Sequence, residues 1–186
     1  MEADERYLFT SRRLGFRNWR DEDILPMIDI NSDPEVMEYF PALQDGPQTT
    51  AFIRRMQAQF EDKGYCYFAV DRLDTAEFIG FIGLTDQTYK ADFTPCVDIG
   101  WRLKRSDWNK GFAKEGAKRC LDYGFTEIGL HRIYAIAPKV NLKSEHIMQV
   151  AGMHKIREFS HPKLLEDDRL RGCILYGIDR VVYRPA

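Results

Sequence analysis

Residues Trp108–Glu115 read WNKGFAKE. An apolar run, VDIGWRL, precedes them at residues 97–103, and helix formers follow. A single glycine between a strand and a helix has two physical readings. It is a structural turn, or it is a point where the backbone must come close to a ligand. A helix N-terminus offers unpaired N–H groups and a positive dipole end. A tight strand-to-helix turn can aim several of those amides at one anion. Gly111 allows positive φ or a close approach with no Cβ in the way, and Ala113 keeps a nearby position small. Lys110 and Lys114 add positive charge at the rim. The combination suits a pyrophosphate. Yet the chain has neither G-x-x-x-x-G-K-[ST] nor a G-x-G-x-x-G after a strand. On the residues alone, turn and anion site both stand.

Outward from this junction the pattern is regular. Upstream, TSRRLGFRNW places Leu14, Phe16 and Trp19 among basic residues, which suggests a first strand. DEDILPMIDINSD starts with acids and repeats Ile24, Leu25 and Ile28 at helical spacing. PEVMEYF reads as a short second helix with proline in its first turn. PQTTAFIRRMQAQFEDKGY is a longer helix, with Phe52, Ile53, Met56 and Phe60 on one face and Gly64 at its end. CYFAVDRLDTAEFIGFIGLTDQ reads as two strands around a polar turn, and CVDIGWRLKR as a third. A helix over KGFAKEGAKRCLDYGFTEIG, a strand over HRIYAIAPKV and a short helix over LKSEHIMQVAG follow. MHKIREF and RGCILYGIDRVVYR complete the set as two strands. The order predicts an α+β fold with a mixed sheet of about seven strands flanked by helices, residues 1–186 forming one domain. One βαβ crossover joins CVDIGWRL to HRIYAIA.

A chain of 186 residues can bury a substantial core. Twenty-seven Lys and Arg against 29 Asp and Glu give a net charge of -2, without the basic excess of a nucleic-acid binder. No run approaches the ~18 apolar residues of a membrane helix. The start, MEADERYLFT, lacks the basic-then-apolar order of a signal peptide. A cytoplasmic protein with no nucleic-acid or membrane partner is expected. Cysteines 66, 96, 120 and 173 are too scattered for a metal knuckle or redox pair and read as free, mostly buried thiols. Histidines 131, 146, 154 and 161 have no metal-ligand spacing, so no metal is expected, and His146 reads as a surface residue. Tyr65, Tyr67 and Tyr134 read as sheet aromatics.

The WNKGFA loop, Trp108 to Ala113, resembles the pyrophosphate loop [Q/R]-x-x-G-x-[G/A] of the GNAT superfamily of N-acetyltransferases. Its tryptophan opening is similar to that of the RimJ/RimL-like branch. The likeness continues in FTSRRLGFRNWRDED, FIGFIGL, VDIGWRL and HRIYAIAPKVNLKSEHIMQVAGM, in the branch's order, with Met153 in place of the usual phenylalanine. The resemblance implies a GNAT fold whose fourth and fifth strands splay apart. It implies acetyl-CoA as donor and an amine as acceptor, either a protein N-terminus or a small molecule. Pantetheine would pair with the backbone edge of Trp101, Arg102 and Leu103, since free strand edges take partners. The pyrophosphate would meet the loop of Trp108, Asn109, Lys110, Gly111, Phe112, Ala113 and Lys114. Asn141 would hydrogen-bond the pantetheine, and Ser144 would contact the CoA arm or protonate the leaving thiolate. Where the branch has Glu-Gly after its Gly-Phe turn, this chain has Ile156-Arg157.

Acetyl transfer needs a neutral amine, a polarised thioester and a proton for the leaving sulfur. Asp98, in an otherwise apolar strand, is the first candidate base, at a place where the family often has glutamate; it also reads as a strand-end aspartate facing solvent or pairing with an arginine. Glu158 is the second. Ser144 also suits a helix N-cap, and Asn141 a turn. The segments NSDPEVMEYFPALQDG and HPKLLEDDRLRG are where acceptor specificity is expected, with Glu166, Asp167 and Asp168 reading as a solvated turn or a contact for a cationic acceptor. A non-catalytic acyl-CoA sensor would share the same loop. The oligomeric state, monomer or homodimer, is not encoded in any motif.

Overall fold

The computed structural model describes residues 5–184. The first four residues of the acidic start, and residues 185–186, lie outside that range. Eight strands form one sheet: β1 (Phe9–Thr10), β2 (Leu14–Arg17), β3 (Tyr67–Arg72), β4 (Phe78–Gln87), β5 (Cys96–Leu103), β6 (Arg132–Pro138), β7 (His154–Ser160) and β8 (Gly172–Asp179). Four α-helices flank it: α1 (Ile24–Ser32), α2 (Gly46–Lys63), α3 (Phe112–Thr126) and α4 (Leu142–Val150). The strand order is β1-β2-β3-β4-β5-β6-β8-β7. Only β5 and β6 run parallel, joined through α3, as the βαβ reading requires. The sheet is mixed and the class α+β, as expected.

Local signals explain most boundaries. Asp45 caps α2 by accepting the Gln48 N–H at 2.8 Å, and Gly64 ends it in the left-handed region at φ 76°. Several readings differ from the structure. PEVMEYF forms turns rather than a helix. It lies between Pro34 and Pro41, too short to nucleate, and its bonds are mixed: Met37 N–H to Asp33 O at 3.0 Å, Phe40 N–H to Met37 O at 2.9 Å. Val36 and Met37 are buried, so tertiary packing holds it. The strand count is eight because the two-residue β1 pairs with β2 ahead of the expected first strand. The last strand ends at Asp179, before VVYR.

The two faces of β5 meet different partners. Through the register with β4, Trp101 lies beside Ile82 and Ile99 beside Leu84. Ile82 and Leu84 pack under Gly116, Cys120 and Gly124 of α3. Asp98, Gly100 and Arg102 point to the opposite face, alongside Thr85, Gly83 and Phe81. There Phe81 packs on Phe52 of α2 at 5.3 Å, and Arg102 reaches Asn31 of α1.

Candidate active site

β5 pairs with β4 at every residue from Cys96 to Leu103, but with β6 at one position only, Asp98 opposite Tyr134. Beyond Asp98 the two strands part, leaving a cleft whose one wall is the β5 backbone. This is the splay implied by the resemblance. Trp101 and Arg102 lie along that wall. Leu103 ends the wall, and its carbonyl accepts a hydrogen bond from Trp108 Nε1 at 2.8 Å.

At the end of β5 the chain turns through Arg105–Asp107 into α3. Asn109 and Gly111 both adopt positive φ, 60° and 80°, on either side of Lys110. No side chain caps α3, and the first bond it makes is Glu115 N–H to Gly111 O at 3.0 Å. The amides of Phe112, Ala113 and Lys114 therefore have no acceptor within the helix. A Cβ on Gly111 would meet only Arg13 Nη2, at 3.4 Å. An uncapped helix start behind a left-handed glycine with open space fits a phosphate. The Lys110 ammonium lies 3.0 Å from the buried Asp107 carboxylate, which it shares with Lys104 and Arg72. Asn109 and Lys114 are exposed, and Phe112 is buried under the Arg13 guanidinium at 4.6 Å. Arg13 also donates to Lys110 O at 3.0 Å and pairs with Glu115 at 2.7 Å, so the β1–β2 turn buttresses the loop.

Across the cleft, β6 leads into α4. Asn141 is the N-cap, accepting the Ser144 N–H at 3.1 Å. The cap reading of Ser144 is therefore corrected: the helix starts three residues earlier, and Ser144 stands in its first turn. The Lys143 ammonium lies 4.9 Å from the Trp108 ring, bridging the two sides of the cleft mouth.

Asp98 is buried, where the strands begin to part. It accepts hydrogen bonds from Tyr67 Oη at 2.8 Å and Gln87 Nε2 at 3.1 Å, and no cation pairs with it. Burial pushes its carboxyl up to about 6, against the two hydrogen bonds. Burial, and then Asp98 itself, raise the Tyr67 hydroxyl well above its usual value. The Tyr67 ring reaches Asp98 because Gly100 has no side chain: a Cβ there would sit 2.9 Å from Tyr67 Cζ. Tyr67 is a sheet aromatic, as expected, and its hydroxyl also reaches the candidate base Asp98. The signal was a glycine inside a strand two residues after an acid, which marks a close approach. Glu158 lies elsewhere, exposed on β7 and paired with Lys155 at 3.0 Å, which holds its carboxyl below the usual range. His146 is exposed on α4.

Two buried side-chain polar atoms have no hydrogen-bond partner among the described residues, Tyr89 Oη and Arg102 Nε. Both border the same pair. The Asp98 charge raises the Tyr89 hydroxyl after burial has done so, and the Arg102 charge opposes the rise at Tyr67. Two unsatisfied buried polar atoms, one near the Asp98 carboxylate and one near Tyr67, mark this face of β5 as a place for a ligand.

The family model described as acetyltransferase (GNAT) domain matches residues 13–154. The chain belongs to the GNAT acetyltransferase family. The N-acetyltransferase YnaD of Bacillus subtilis is 31% identical over 147 residues, covering 78% of this chain and 82% of that protein. Spermidine N(1)-acetyltransferase of Escherichia coli is 40% identical over 97 residues, 46% of this chain and 52% of that one. A GNAT-family acetyltransferase structure from Bacillus anthracis superposes with a TM-score of 0.76 at 25% identity, covering 92% of this chain and 98% of its own. This GNAT protein is an acetyl-CoA-dependent acetyltransferase. Among its described residues no helix is long and apolar enough to cross a membrane.

Proposed function

We propose that the protein moves the acetyl group of acetyl-CoA to a primary amine by direct attack in a ternary complex. The observation that carries this reading is Asp98, a buried carboxylate with its pKa raised to about 6 where β5 and β6 diverge. Bound acetyl-CoA supplies an activated acetyl thioester. The β5 edge at Trp101 and Arg102, the amides from Asn109 to Lys114 and the Asn141 side chain hold it. Asp98 takes the proton that the acceptor nitrogen gives up. The Ser144 hydroxyl, in the first turn of α4, donates to the departing sulfur. Trp108 and Lys143 close the cleft mouth and limit water. The acceptor is a small-molecule amine or a protein N-terminus, in the manner of the RimJ/RimL-like branch. The same proposal takes residues 1–186 as one cytoplasmic domain, monomeric or homodimeric.

A melt with acetyl-CoA at 100 times its dissociation constant should gain about 2.7 kcal/mol of stability. A screen of amines and short peptides, read by free-thiol release, should then return an acceptor. Asp98→Asn and Ser144→Ala should each slow transfer by roughly 10²–10⁴-fold. Absence of both the stability gain and calorimetric binding would sink the assignment. Tight acetyl-CoA binding with no acceptor would replace the enzyme with a sensor of acyl-CoA.

A further inference from the structure

The fold buries two arginines, and they are treated in opposite ways. Arg17 makes four hydrogen bonds of 2.7–2.8 Å to the buried carboxylates of Asp23 and Asp71. Asp107, also buried, has Lys104, Lys110 and Arg72 within 4 Å. Arg102 and Asp98 remain. No ion pair involves either among the described residues, and neither pairs with the other. Arg102 is 8% exposed. Its Nη1 donates to the neutral Asn31 Oδ1 at 2.6 Å and reaches Gln44 Oε1 at 3.4 Å, while Nε has no partner. Phe40 covers the guanidinium at 4.0 Å and Phe81 lies at 5.4 Å. An ion buried without a countercharge costs several kcal/mol, and stacking plus amide oxygens recover only part of it.

The two uncompensated charges share one face of β5, with Gly100 between them. Their Cα atoms are four residues apart, about 13 Å in a strand. One end of this face is a carboxylate beside the cleft. The other is a cation whose Nε has no partner, beneath the segment that joins α1 to α2. A molecule with an amine at one end and an anion at the other would complement both. A polyamine would complement only Asp98 and would bring positive charge toward Arg102.

We propose that Arg102 is the anion-recognition residue of the acceptor site, and that the acceptor is an amine carrying a carboxylate several bonds from its nitrogen. This rests on the acetyltransferase reading above and adds the substrate class. Guanidinium suits the role because its fork of donors matches a carboxylate. Buried donors left unpaired by a neutral analogue would make the discrimination large.

The test uses matched acceptors: ω-amino acids and dipeptides as free carboxylates, the same compounds as carboxamides, and spermidine. Specific rates come from free-thiol release. Wild type should favour carboxylate over amide by roughly 10–100-fold. In Arg102→Gln that ratio should collapse toward one, and Arg102→Lys should retain part of it. Equal or better use of amides or spermidine by wild type overturns the proposal. So does an equal loss on both acceptor types in Arg102→Gln, with a lowered melting temperature, which would mark a structural arginine. If nothing is acetylated, the catalytic reading has failed, and the anion site is read separately. Melts with CoA and N-acetyl ω-amino carboxylates or their amides should then show a carboxylate-specific shift that Arg102→Gln lacks. No such shift, or the same shift in the variant, overturns the proposal.

Discussion

The Tyr67 hydroxyl donates to Asp98 Oδ1 at 2.8 Å by passing over Gly100, with Gly83 lying between Tyr67 and Gly100 in the strand register. One hydrogen bond thus spans three strands. It orients the carboxylate and favours its charged form against burial. In Tyr67→Phe the Asp98 pKa should rise above about 6, moving the acid limb of kcat/KM to higher pH. The loss should be larger at pH 6 than at pH 9. Parallel pH profiles for wild type and variant would contradict this coupling.

Gly100→Ala should disturb the same contact from the other side. Its Cβ would lie 2.9 Å from Tyr67 Cζ and Oη, so the ring must move. Transfer should fall at least tenfold while the far-UV circular dichroism stays the same. Wild-type rates in this variant would show that the ring position does not matter to chemistry.

The raised pKa of Asp98 also has a stability consequence. Below about pH 3 the group is neutral in both folded and unfolded chains. As pH rises towards 6 the unfolded chain ionises first, so folding loses stability, and above about 6 the loss is complete. Asp98→Asn removes this penalty and keeps an acceptor for Tyr67. At pH 8 the variant should be more stable than wild type by on the order of 2 kcal/mol, with no gain at about pH 3. Urea titrations at the two pH values decide it, and a variant less stable at pH 8 would contradict the sign.

Gly111→Val should remove CoA affinity with most of the fold intact. The space in front of Gly111 is open apart from Arg13, so the defect comes from φ 80° and from a side chain in the phosphate's path. CoA titration should weaken at least tenfold. Unchanged affinity would reduce the loop to a turn.

Arg17→Ala should be among the most damaging substitutions for stability. It would leave Asp23 and Asp71 buried without their cation, at a cost of about 3–5 kcal/mol. Arg102→Met, which removes a buried charge that has no countercharge, should be neutral or stabilising by comparison. A denaturant midpoint for Arg102→Met below that of Arg17→Ala would reverse this ranking.

Much of the frame was legible in the residues because its causes are local. The apolar run at residues 97–103, the glycine at 111 and the amphipathic pattern after it specify a strand, a turn and a helix within about 30 positions. Gly64 ends α2 by its own backbone freedom. Such signals need no distant partner, so the β5–α3–β6 unit and its loop could be read directly. PEVMEYF could not, because its conformation follows from where Val36 and Met37 are buried.

The candidate chemistry depended on residues far apart in the chain. Asp98 was visible as an acid in an apolar strand, but its meaning comes from Tyr67, 31 positions away. Arg102 was read only for its backbone, as part of the strand edge for pantetheine; its side-chain partner Asn31 is 71 positions away. Glu158 stood second to Asp98 in sequence, and the strand order then put it on an exposed edge and Asp98 beneath α1 and α2. Strand and helix propensity are properties of a few neighbouring residues, whereas burial and charge compensation depend on which side chains the whole fold brings together. The sequence therefore determined the elements and the anion-ready turn, and the tertiary structure decided which charges were left without a partner.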